Sequence, residues 1–185
     1  MYYENIDGDY NHIGATIADA VLQANNRYVT HVKPRVNRIL SLYPDARTTS
    51  HVLDILKLVP STEFLSWKGI DRAERFSQIV ELFSCENIEN ENDLRNWLLE
   101  DANLLKLRKI RGIGPKTVDY FKILAGVSTN AIDRHLLKFL KLADIEAKNY
   151  ENAQRIINET ADILSVDRAK FDHSIWQYMS KQSSP

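Results

Sequence analysis

The sequence predicts an all-α protein of about ten short helices. Three observations predict it. Apolar residues recur at spacings of three and four through most of the chain, while the alternation of a half-buried strand is nearly absent. Candidate caps and stops divide that pattern into short segments. With 185 residues, 44% of them apolar and 26% charged, the chain has an ordinary globular composition and the length to bury a core.

The elements follow in order. Residues 13–23 place Ile17, Val21 and Leu22 on one face. Pro34 opens a segment to residue 42 that buries Val36, Ile39 and Leu40, and Pro44-Asp45 stops it. Ser50 is the expected N-cap of a short helix reaching Lys57. Asp71 and Glu74 have capping-box spacing and open a helix carrying Phe76, Ile79, Val80 and Phe83. Residues 85–92 are polar and acidic and read as a loop. Leu94, Trp97 and Leu98 lie on the next helix. Residues 104–110 and 115–125 form two helices around a pair of glycines. Asp133 begins a helix with Leu136, Leu137 and Leu140, and residues 149–164 and 167–180 close the chain. No repeat or long linker intervenes, so a single unit over 1–185, made of two packed helical lobes, is expected.

Composition excludes several classes. Cys85 is the only cysteine, which rules out an internal disulfide, a four-cysteine zinc site and a four-cysteine iron–sulfur cluster. The five histidines show no HExxH or paired-ligand spacing, so no bound transition metal is expected. No apolar run approaches the roughly 20 residues that span a bilayer. The start of the chain is acidic and lacks the features of a secretion signal, so a cytoplasmic, nucleoid or nuclear protein is expected, not a secreted one. The formal net charge of -1 hides an asymmetry: residues 104–141 hold nine Lys and Arg against two acids, Asp119 and Asp133. A basic stripe on a neutral chain suits nucleic-acid phosphates, although a solvated helical face has the same composition.

The most informative stretch lies inside that stripe. Gly112 and Gly114, one residue apart, suit a tight turn, and Pro115 suits the first position of a new helix. The unpaired N–H groups of that helix start make an anion site, flanked by Lys109 and Arg111. Lys116 falls at the second helical position. It reads as a phosphate-binding lysine or as an amine nucleophile. Seventeen residues on, Asp133 reads as an N-cap, a role compatible with holding a carboxylate where positive charge develops on a sugar.

Residues 107–126, followed by Asn130-Ala131-Ile132-Asp133-Arg134-His135, resemble the helix-hairpin-helix/Gly-Pro-Asp superfamily of DNA glycosylases, which includes endonuclease III and the 8-oxoguanine DNA glycosylases. Their pattern is a hairpin of the form LPGVGxK, a helix, and a hydrophobic-Asp-x-His stretch. The match extends over roughly residues 12–180. Residues 20–27 resemble the segment whose Gln or Asn fills the gap left by an extruded base. Residues 68–73 resemble the glycine-containing turn ahead of the helix before the hairpin. Residues 171–176 resemble the C-terminal helix that packs beside the catalytic aspartate.

The resemblance implies a base-excision enzyme with abasic-site lyase activity that removes a damaged base of the oxidised type through a lysine Schiff base. It implies Lys116 as the nucleophile and Asp133 as the catalytic carboxylate. It implies DNA contacts by Lys109, Arg111, Gly112, Ile113, Gly114 and Thr117 of the hairpin and by Asn25, Asn26 and Arg27. Phe171, Asp172 and Trp176 become base-pocket candidates, with core packing as their alternative. One lobe is expected from 1–24 with 132–185 and another from 25–131, which contains the hairpin segment 104–126, with the active site between them. The expected partner of this monomer is double-stranded DNA carrying a damaged base or abasic site. No cofactor is required and no iron–sulfur cluster is held, while a monovalent cation at the hairpin fits the family. Two alternatives stay open: a monofunctional alkylated-base glycosylase, in which Lys116 only grips phosphate, and a non-catalytic DNA-binding module.

Overall fold

The structure, a computed structural model, describes residues 10–182. The acids Glu4, Asp7 and Asp9 of the chain start lie outside the described residues. Among the described residues there are eleven α-helices, one π-helical turn and no strand, so the fold is all-α. The chain divides into two compact units, Met1–Gly126 and Val127–Pro185.

The first unit is built around α1 (Ile13–Gln23), in which Ile13 to Leu22 are all buried. A helix buried on every side must be lined by neighbours all round. Here they are the π-helical turn Tyr28–Val32, α2 (Lys33–Leu42), α3 (Thr49–Leu56), α5 (Ile70–Cys85) and α8 (Pro115–Leu124). The short α4 (Ser61–Phe64) packs on α5; α6 (Glu91–Trp97) and α7 (Asp101–Arg108) complete the unit. Glu91 ties the start of α6 to the start of α1, its Oε1 accepting from His12 N at 2.9 Å and Thr16 Oγ1 at 2.7 Å. Phe64, Phe76, Phe83 and Phe121 fill the core, with Phe83 and Phe121 edge-on at 6.0 Å. Phe121 thereby anchors the helix that follows the glycine turn.

The second unit packs α9 (Arg134–Leu142), α10 (Tyr150–Ile163) and α11 (Arg168–Gln182). Its core is Ile132, Leu136, Leu140, Ala153, Ile157, Ile175 and Met179. Leu136 and Leu140 of α9 are buried, while Leu137 is exposed.

Four local expectations change. Thr48, not Ser50, caps α3, because the Ser50 amide and hydroxyl are both taken by the Glu89 carboxylate. Helix α5 starts at Ile70 behind Gly69, so Asp71 sits in the first turn where its charge favours the positive helix end. Residues 85–92 are not all loop: Asn90 and Asp93 form a reciprocal capping box for α6. The lobe division also differs. Residues 13–23 belong to the first unit because α1 buries its surface against helices of residues 33–124, and the units part between Gly126 and Val127.

Candidate nucleic-acid interface and catalytic residues

The hairpin is made as the glycines predict, but the two glycines do different work. Helix α7 ends at Arg108, and Ile110 O accepts from Ile113 N at 3.0 Å to close the turn. Gly112 has φ +87°, the left-handed region where a side chain is strained. A Cβ there would also collide with the Arg75 guanidinium, whose Nε donates to Arg111 O at 2.8 Å. Gly114 is extended, with φ -103° and ψ -179°, and a Cβ there would meet nothing within 4 Å. Its bareness leaves room on the outer side. As N-cap of α8 it offers no side-chain acceptor; Pro115 carries no N–H and Thr117 N donates to Gly114 O at 3.1 Å, so the Lys116 N–H is the first-turn donor left for an outside anion.

Lys116 lies at the second position of α8, half-buried, after Pro115. Lys109 and Arg111 are exposed beside the turn. Ile113 and Thr117 are buried, so their side chains face the core and contact from outside falls to the backbone.

Two of the outer segments that resemble the family, residues 20–27 and 68–73, meet the hairpin in one cleft of the first unit. This cleft of about 400 Å³ is lined by Ala24 and Asn25, by Trp67, Gly69 and Asp71, by Arg72 and Arg75, and by Gly112. Asn25 takes φ +58° and is exposed, as is Arg27. Asn26 is committed otherwise: its Nδ2 donates to Leu22 O at 2.6 Å, finishing α1. Arg72 Nη2 donates to Ala24 O at 2.6 Å, while its Nε is buried without a partner. Burial, and then the charge of Arg75, hold the Arg72 guanidinium below its usual range. The Trp67 ring meets two guanidinium groups, with Arg35 at 4.9 Å and Arg72 at 4.6 Å from its centre.

In the second unit, Asp133 caps α9, its Oδ1 accepting from His135 N at 2.8 Å and Leu136 N at 3.1 Å. Both bonds fall on Oδ1, which fixes the carboxylate and leaves Oδ2 outside the cap. Asp172 Oδ2 accepts from Ala131 N at 2.9 Å and so braces the segment leading into Asp133. Phe171 packs on the core of this unit. Trp176 is partly exposed and stacks on His173 at 5.9 Å, with His135 at 6.2 Å. Among the described residues no cluster of three or more His, Cys, Asp or Glu is placed to hold a metal ion. No described helix is long and apolar enough to cross a membrane.

The family model described as "Domain of unknown function (DUF8548)" matches residues 3–180. The chain belongs to that family. No curated protein matches it. Its structure is similar to that of the 8-oxoguanine DNA glycosylase of Thermotoga maritima, with a TM-score of 0.61 at 18% sequence identity, covering 94% of this chain and 84% of that one. The likeness establishes that this DUF8548 chain has the same helical fold.

Sequence reasoning missed Arg72, Arg75 and Trp67, which line the cleft. A signal was present in Trp67-Lys68-Gly69 followed by Arg72 and Arg75, where bases three apart share a helical face. It also missed Asp19, an acid within the apolar run Ala18 to Leu22, whose side chain is wholly buried.

Proposed function

We propose that the chain is a DNA repair glycosylase that removes a damaged base, an oxidised one by family resemblance, and cleaves the abasic site. The observation that carries this reading is the open start of α8, where Gly114 leaves the outer side bare and Lys116 follows in the first turn. In this reading the hairpin amides, Lys109 and Arg111 grip the phosphates of a duplex. The target nucleotide leaves the stack, at a cost of a few kcal/mol that is least for a damaged base. Asn25 fills the gap, a role for which its exposed left-handed position suits it better than the bonded Asn26.

The Lys116 amine attacks the sugar C1′ as the glycosidic bond breaks and its electron pair leaves with the base. The Asp133 carboxylate stabilises the positive charge developing on the sugar. Ring opening gives the protonated Schiff base, loss of a C2′ proton expels the 3′ phosphate, and water hydrolyses the imine. Likeness of fold and the matching motif support these roles.

Borohydride reduction on duplexes carrying 8-oxoguanine or an abasic site tests the reading. Wild type is expected to form a covalent adduct and Lys116→Ala none. An equal adduct from Lys116→Ala removes that lysine from the mechanism, and base release without strand cleavage or adduct reduces the activity to that of a monofunctional enzyme.

A further inference from the structure

Asp19 is buried in the middle of α1, and three hydroxyls surround it. Tyr120 of α8 donates to its Oδ1 at 3.2 Å and Tyr10 to its Oδ2 at 2.7 Å. The Tyr28 hydroxyl lies 3.3 Å from that of Tyr10. Tyr120 is one helical turn beyond Lys116, and Tyr28 is three residues beyond Asn25. We infer that Asp19 is a positioning residue, which through Tyr120, Tyr10 and Tyr28 holds the loop of residues 25–27 in register with the glycine hairpin.

The energetics favour position over stability as its role. Among the described residues, the groups acting on Asp19 are hydroxyls: Tyr10 before α1, Tyr28 of the π-helical turn and Tyr120 of α8. No ionisable group of α2, α3 or α5 acts on it, although all three pack on α1. A buried carboxylate without a cation costs more than an apolar residue of similar size. The same loop is held from its other side by Arg72 on Ala24 O and Asn26 on Leu22 O. The hydroxyl network therefore completes a clamp between the π-helical turn and α8, the elements that directly follow the cleft-lining Asn25 and Gly112 in the chain. The link to DNA rests on the glycosylase reading; the link between loop and hairpin helix does not.

Tyr120→Phe removes one hydroxyl and leaves the packed ring, so it tests the inference without emptying the core. Amide hydrogen exchange of residues 25–28 is expected to accelerate in this variant while that of α3 stays unchanged. Affinity for abasic-site duplex is expected to fall about 5- to 10-fold, within the usual range of coupling between sites. In an Asn25→Ala background the same substitution should then cost less than about 2-fold, since additivity holds only for uncoupled sites. Unchanged exchange at residues 25–28, or an equal loss of affinity in both backgrounds, overturns the inference. If wild type does not bind the duplex, the glycosylase reading falls and the exchange result alone decides.

Discussion

Arg75 braces the hairpin from within: its Nε donates to the carbonyl of Arg111 at 2.8 Å, and its guanidinium fills the place where residue 112 would carry a side chain. A turn that was legible as two glycines is therefore a glycine and an arginine fitted together, with the second glycine left for the outside.

The two glycines should respond differently to alanine. Gly112→Ala places a Cβ at a left-handed position and against Arg75, and should cost about 1–3 kcal/mol in urea denaturation. Gly114→Ala should stay within about 0.5 kcal/mol of wild type. If the open start of α8 receives a phosphate, Gly114→Ala should nonetheless weaken DNA binding. Equal stability losses at both positions would contradict the geometry.

Asp133 combines a cap with a proposed chemical role, and two variants separate them. Asp133→Ala should lose about 1 kcal/mol of stability with the cap. Asp133→Asn keeps an acceptor for His135 N and Leu136 N and should unfold near the wild-type midpoint. In base-release assays the Asn variant should be impaired while binding DNA normally; full excision would leave Asp133 a cap and nothing more.

Burial raises the Asp19 carboxyl from 3.8 to about 6, against the bonds donated by Tyr10, Tyr120 and Tyr28, which lower it. The folded state then binds the proton more tightly than the unfolded one. Its contribution to stability is fully present below about pH 3.8 and is lost as pH rises through about 6. The full effect is on the order of 3 kcal/mol. Asp19→Asn cannot ionise, so the difference in unfolding free energy between variant and wild type should shift toward the variant across that window. A pH-independent difference would refute the assignment.

Lys109 and Arg111 stand exposed at the turn, so each should contribute a phosphate contact and little else. Replacing either by alanine should lower the slope of log affinity against log salt by about one, without altering preference among lesions. A lost lesion preference with an unchanged slope would show that these residues read bases.

What was legible in the sequence followed from short-range physics. Residues 13–23 gave α1 at its observed bounds, and Asp133 gave its helix a true cap. Pro115 and Gly112 gave the turn. Failures arose where a distant partner outbid a local one. Ser50 is spent on Glu89, so Thr48 takes the cap. Residues 20–27 and 68–73 matched a family pattern, but only folding brings Asn25, Arg72 and Gly112 to one cleft. Nothing local joins Asp19 to Tyr120, which lies 101 residues along the chain.

The buried carboxylate of Asp19 also has a consequence for how this chain tolerates change. A library selected for thermal endurance alone should discard the acid at position 19 early, trading it for a small or apolar residue that suits the interior of α1. One selected for work on DNA should keep it, so the two selections should diverge at a position far from any surface.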